Sequence, residues 1–223
     1  MRVKVVSLLG PLTARQERHA GQHLWVAGDR DIAAAPMRVA VVGSRRASEL
    51  GLRRASKISA QLAGAGAVIV SGLALGIDAA AHRACIRAGG RTIAVIGTAL
   101  ERCYPAEHRH LQNRIADQHL LVSPFEPGHP TESANFIRRN RVMALFAHAS
   151  VVVEAGDASG TKSHALEQRR LGRPVFVMRS LLERPGTTWP RKLVDDGDAT
   201  VLDDIEQVLE AIQPKCSRAS SLS

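Results

Sequence analysis

Small polar residues and arginines recur where an α/β chain would offer them to a ligand. Gly43-Ser44-Arg45-Arg46 follows the apolar run 39–42, Ser71-Gly72 with Gly76 follows 67–70, and Gly97-Thr98 follows 92–96. After the run 151–153, Glu154-Ala155-Gly156 leads to Ser159-Gly160-Thr161 and Lys162. Glycines let a ligand approach the backbone, and a helix starting after each turn aims free N–H groups and its positive dipole end at the same edge. Together the four turns describe an anion site. Arg45, Arg46, Arg53, Arg54 and Lys57 lie at and after the first turn with Glu49 opposing them, and Asn135-Phe136-Ile137-Arg138-Arg139-Asn140-Arg141 opens a helix with three arginines. Cations at a helix N-terminus oppose the macrodipole, so that placement asks for an anion. Phe136 beside them either stacks on a base or fills the helix core.

Other constellations are weaker. Asp78 and His82, four apart, have the spacing of an acid–base pair, but two side chains are too few for a metal cage. Structural roles are expected: Asp78 satisfying N–H groups at a helix start, His82 hydrogen-bonding in the turn layer. Neither GxGxxG nor GxxxxGK[ST] is present, which removes the main support for a dinucleotide dehydrogenase or a P-loop NTPase. No GxSxG elbow or Cys/His nucleophile pair stands out. Catalytic residues, cofactor and metal are all expected to be absent.

The elements that position these residues follow from hydrophobic pattern. Short Val/Ile-rich runs alternate with helical periodicity, the signature of βαβ units around a parallel sheet buried on both faces. Strands are expected at 39–42, 67–70, 92–96, 120–122, 151–153, 175–178 and 200–202, and helices at 49–63, 77–88, 106–117, 136–147, 162–171 and 205–212. The expected fold class is α/β, extended Rossmann-like, with a mostly parallel sheet and helices on both faces. Residues 1–37, with the cluster Leu24-Trp25-Val26, read as a lead-in packing on the core. Residues 38–213 read as the core, and 214–223 as a disordered polar tail.

Composition bounds the partners. The chain has 223 residues, 45% hydrophobic and 23% charged, within the globular range. Thirty Lys and Arg against 21 Asp and Glu give a formal charge of +9, which favours a polyanionic partner, nucleic acid first. No run approaches a membrane span, no secretion signal is legible, and three cysteines (Cys85, Cys103, Cys216) without a CxxC fit reduced thiols in the cytoplasm.

Three strings, VGSRRASELG (42–51), SGLALGIDAAAHRACIRAGGRTIAVIGTALERCYPAEH (71–108) and NFIRRNRVMALFAHASVVVEAGDASGT (135–161), resemble the DNA processing protein A family, also called Smf. The likeness runs from about Leu24 to Ile212. It implies a Rossmann-like core, single-stranded DNA binding, a homodimer, and loading of the RecA recombinase in natural transformation or recombination. By motif match, Ser44, Arg45, Ser71, Gly72, Gly76, Arg138, Arg139, Arg141 and Lys162 would touch the DNA backbone. The rim adds Gly43, Gly97, Phe136, Ser159, Gly160 and Thr161.

Two departures stand out. Many members carry helical and winged-helix-like flanking domains, for which this length leaves no room, so the chain reads as the bare core. Lys162-Ser163-His164 also stands where the family usually has an apolar stretch. The competing reading is a nucleotide-binding sensor or a phosphoribohydrolase of the lysine-decarboxylase-like group. Those enzymes carry PGGxGTxxE, whose glutamate is missing here, and Glu154 on the same rim keeps that reading open. Replacing Arg138, Arg139 and Arg141 together is expected to weaken DNA binding with the fold intact. Of the apolar residues of 175–178, Leu181-Leu182 and the helix with Ile205, Val208, Leu209 and Ile212, half are expected to pack on their own sheet and the remainder to form the dimer surface.

Overall fold

The structure is a computed structural model that describes residues 1–157, 160–184 and 186–213. The chain runs β1 (Arg2–Lys4), α1 (Val6–Leu9), α2 (Ala14–Ala20), β2 (His23–Gly28), β3 (Arg38–Gly43), α3 (Glu49–Gly64), β4 (Val68–Ser71), α4 (Ile77–Arg87), β5 (Thr92–Val95) and α5 (Arg109–Gln118). It continues through β6 (Leu120–Ser123), α6 (Ser133–Phe146), β7 (Ala149–Glu154), α7 (Gly160–Arg170), β8 (Val175–Met178), α8 (Arg179–Leu182), α9 (Trp189–Asp195), β9 (Thr200–Leu202) and α10 (Glu206–Ile212). Among the described residues these strands form one sheet in the order β1-β2-β6-β5-β4-β3-β7-β8-β9. All pairs are parallel except β1–β2 and β2–β6. The fold is α/β, with a mostly parallel sheet between helices.

β3 shows why the strands read as continuous apolar runs. Val39 and Val41 enter the core shared with α3, α4 and α10, while Ala40 and Val42 enter the core shared with α6, α7 and α9. Side chains alternate between faces, so a strand covered on both must be apolar at every position. The same cores take part of the apolar stripe near the carboxyl end: Leu181, Val208 and Ile212 are buried, while Met178, Leu182, Ile205 and Leu209 stay half-buried.

From β3 the chain builds β4, β5 and β6 on one side, then crosses to β7 on the other. The loops after β3 and β7 therefore diverge, and such a switch point opens a crevice at the carboxyl edge. α6 lies against that crevice, held from behind. Arg38 Nε donates to Phe146 O at 2.6 Å, and Arg173 Nη1 donates to Ala144 O and Leu145 O at 2.7 Å and also to Ala147 O. Two cations thus satisfy the C-terminal carbonyls and complement the helix dipole. Burial lowers both guanidinium pKa values to about 10.

Several elements depart from the expected pattern. Leu24-Trp25-Val26 lies in β2, which pairs antiparallel with β6 through Trp25 and Ser123. α6 begins three residues earlier than expected, so its arginines occupy the second and third turns, beyond the reach of the dipole argument. α7 begins two residues early, at Gly160. Ser159 and the tail 214–223 lie outside the described residues. No helix among the described residues is long and apolar enough to cross a membrane.

Candidate nucleic-acid interface

The crevice is an open cavity of about 590 Å³. Gly43, Ser44, Arg45 and Arg46 form one wall, Phe136, Arg139, Asn140 and Met143 of α6 another, and Gly156, Gly160, Thr161 and His164 a third. Arg45 and Arg46 are exposed at the mouth, and the Arg45 guanidinium carbon sits 5.0 Å from the Phe136 ring centroid. A cation over an aromatic face gives a surface that takes a phosphate and a base together.

The turn amides play a smaller part than their glycines suggest. Ser44 N donates to Glu154 O at 2.6 Å, Arg46 N to Ser44 Oγ at 3.1 Å, and Ile77 N to Ser44 O at 3.2 Å. Gly72 N and Ala74 N both donate to Asp78 Oδ2, at 3.1 and 3.4 Å. These donors are spent within the protein, so at these two turns the arginines, not the amides, face an anion. Asp78 holds the loop before its helix, and His82 Nδ1 lies 2.7 Å from Thr92 Oγ1. Leu73 in that loop is fully buried at φ +56°, a left-handed conformation costing about 1–2 kcal/mol for a side chain of this kind. His108 Nδ1, 2.9 Å from Leu73 O, helps to hold it there.

Two glycines make room for the protein's own side chains. A Cβ on Gly72 would lie 1.4 Å from Arg139 Nη1, and one on Gly97 would lie 2.6 Å from Phe136 Cδ1. Arg139, 5% exposed, donates through Nη1 to Val95 O at 3.0 Å and forms the cavity floor. Burial pushes its guanidinium below the ordinary range, against the pull of Asp78. Burial likewise raises the Asp78 carboxyl, against Arg139 and the two loop amides. His164 Nε2 is 2.8 Å from Ser150 Oγ, and burial lowers its pKa to about 3, so a neutral imidazole lines the back wall.

The expected residues therefore divide. Gly43, Ser44, Arg45, Phe136, Arg139, Gly160 and Thr161 meet at the cavity. Ser71 is buried, with Oγ donating to Val41 O at 2.7 Å, and Gly76 caps α4 against Ser44 O. Arg138 is exposed on α6 and stacks over Phe125 at 5.3 Å, Arg141 pairs with Glu167 at 3.5 Å, and Lys162 is exposed on α7 outside the lining. Of the further cluster, Arg53 pairs with Glu49 and neither Arg54 nor Lys57 lines the cavity.

Residues 11–213 match the family model described as DNA recombination-mediator protein A. The chain belongs to that family. Members among curated proteins include Protein Smf of Synechocystis sp., 44% identical over 63% of this chain and 35% of its own length. The DNA processing protein DprA of Streptococcus pneumoniae is 42% identical over 70% and 54%, and Protein Smf of Escherichia coli 38% over 79% and 47%. The chain thus spans about a third to a half of these relatives.

In three dimensions the S. pneumoniae DprA superposes with a TM-score of 0.84 at 32% identity, covering 94% of this chain and 73% of that one. The DNA processing protein A of Helicobacter pylori, described for its single-stranded DNA binding mode, gives 0.77 at 24% identity and covers 94% of both chains. The molybdenum cofactor carrier protein of Chlamydomonas reinhardtii shares the fold alone, with a TM-score of 0.54 at 21% identity.

Within this member of the family, Glu154 is fully committed. Its Oε1 accepts from Ser48 N at 3.0 Å and from Arg184 Nη1 at 2.7 Å, and its Oε2 from Ser48 Oγ at 2.6 Å. Burial alone would raise this carboxyl, but the bonds from Ser48 and Arg184 hold it below the usual carboxylate range. It braces Ser48, whose Oγ accepts from Gly51 N and so caps α3, and it is absent from the cavity lining. Arg46, one of the cations expected at the rim, also lines the cavity, and Asn140, Met143 and His164 line it without a binding role expected from the sequence.

Proposed function

We propose that the cavity binds single-stranded DNA without catalysing a reaction on it. Arg45 and Arg46 take backbone phosphates, a base stacks against the Arg45–Phe136 pair, and the buried charge of Arg139 adds positive field from below. The observation that carries this reading is the Arg45 guanidinium over the Phe136 ring at the mouth of a cavity too small for a duplex. The H. pylori relative, described by its single-stranded DNA binding mode, supports it.

A competition between labelled single strands and duplexes of the same sequence tests it. The single strand is expected to win by about tenfold. With four to five phosphates contacted, at roughly −0.7 each, log Kd-derived affinity should fall against log salt with a slope of about −3. Equal affinity for duplex contradicts the proposal.

Glu154 disfavours the hydrolase alternative, because a carboxylate already accepting three bonds and held ionised is a poor proton donor or base. The non-catalytic reading falls if nucleoside monophosphates lose their base in a reaction that Glu154→Gln abolishes.

Protection of incoming DNA, delivery to a RecA-type recombinase and a cytoplasmic setting complete the proposal. So does a homodimer, for which light scattering should give twice the 24.0 kDa chain mass, and a single-chain mass at all concentrations rejects it. The apolar side chains that the core leaves half-buried near the carboxyl end, Met178, Leu182, Ile205 and Leu209, are the surface offered to it.

A further inference from the structure

Three of the six large apolar side chains left exposed among the described residues stand next to cavity-lining residues, Leu75 beside Ala74, Ile137 beside Phe136, and Tyr104 against the Phe136 ring. Leu75 is 42% exposed, Tyr104 52% and Ile137 54%, and they sit on the loop after β4, the loop after β5 and the second turn of α6. Tyr104, the chain's single tyrosine, meets Phe136 with ring centroids 5.5 Å apart and planes tilted by 52°. Rings so close and so tilted leave no slot for a base between them, so the free surface of Tyr104 is its outward face.

The loop that carries Tyr104 is tied down on several sides. Gln112 Nε2 donates to Leu100 O and Arg102 O at 3.1 Å, Thr98 Oγ1 to Arg102 O at 3.0 Å, and Gly128 N to Glu101 Oε1 at 2.6 Å. An aromatic ring held half in water by a fixed loop beside a cationic cavity is a ready stacking platform.

We infer that Tyr104 is a second base-stacking surface, carrying the nucleotide next to the one on Phe136 as the strand leaves the cavity over the loop after β5. The inference rests on the single-strand reading and gives the strand a direction. The charges around Tyr104 make it specific. Arg102 and Arg109 are offset there by Glu101 and Glu107, all four exposed, so this part of the path offers little net attraction for phosphates. Single-stranded bases are held by stacking where the backbone is not held by cations. Tyr104 should therefore contribute affinity that salt does not screen.

The test measures binding of an oligothymidylate and of an abasic oligomer of equal length, which keeps the phosphates and lacks the bases, at several salt concentrations. Tyr104→Ala is expected to weaken the thymidylate about fivefold or more, the lower end of what one base–aromatic stack is worth, with the salt slope unchanged. On the abasic oligomer it should have no effect, and Tyr104→Phe should bind like the wild type. Tyr104→Leu, which keeps an apolar contact to Phe136 without the ring, should behave like the alanine variant and guards against a folding defect. Thymidylate binding unchanged in the alanine and leucine variants, or equal losses on both oligomers, overturns the inference. Failure of the single-strand reading shows differently: the wild type then binds neither oligomer, and the role of Tyr104 falls with it.

Discussion

Arg139→Met should melt well below the wild type, by roughly 10 °C, corresponding to about 3 kcal/mol for a chain of this size. The guanidinium is 5% exposed, fills the space left by the missing side chain of Gly72, and donates to Val95 O. Removing it leaves that carbonyl without its donor and the buried Asp78 without the positive charge that opposes its burial. Arg138→Ala and Arg141→Ala on the same helix should each stay within about 1 kcal/mol of wild type, since one is exposed and the other makes a half-exposed ion pair. Gly72→Ala attacks the same contact from the other side, so its loss and that of Arg139→Met should add to less than their sum. An Arg139→Met variant with an unchanged melting curve would show that the guanidinium does not support the fold. The combined replacement of Arg138, Arg139 and Arg141 is thus no clean binding variant, because one member of the trio belongs to the core.

Replacing Arg45 and Arg46 by alanine should have the opposite profile. Both side chains are exposed at the cavity mouth, so the melting curve should move little. Affinity for a single strand should fall at least tenfold, since each charge-assisted phosphate contact is worth about 1.5 kcal/mol or more. The salt slope should become shallower by about 1.4, two contacts at roughly 0.7 each. Loss of Arg45 also strips the cation from the Phe136 face. Single-strand affinity within twofold of wild type would move the phosphate site away from this wall.

Much of the sheet was legible because parallel strands covered on both faces have apolar interiors, as 39–42 of β3 and 151–153 of β7 do. β1 and β2 were not, since β1 spans three residues and β2 alternates between buried and half-buried, leaving only Leu24-Trp25-Val26 as a signal. The position of the cavity was legible from the turn residues, but their roles were less so. A glycine after a strand marks a close approach without saying what approaches, and Gly72 and Gly97 receive Arg139 and Phe136 from a distant part of the chain.

Arg139 did carry a usable signal. It falls on the buried stripe Asn135, Arg139, Val142, Phe146 once α6 is started at Ser133, and an early helix start was the missing step. Tyr104 and His164 gave no local signal, because loop packing across the rim brings them to the cavity.

On this reading a single strand lies in the carboxyl-edge cavity between β3, α6 and α7. The most direct measurement is a backbone amide NMR titration of the isotopically labelled protein with an oligothymidylate. Shifts should concentrate at 43–46, 97–104, 136–140 and 160–164, with β1, α2 and α10 quiet. Shifts gathered on the arginine-rich face of α2 and α7, around Arg15, Arg18, Arg169 and Arg170, with the cavity amides unmoved, would place the strand there and not in the cavity.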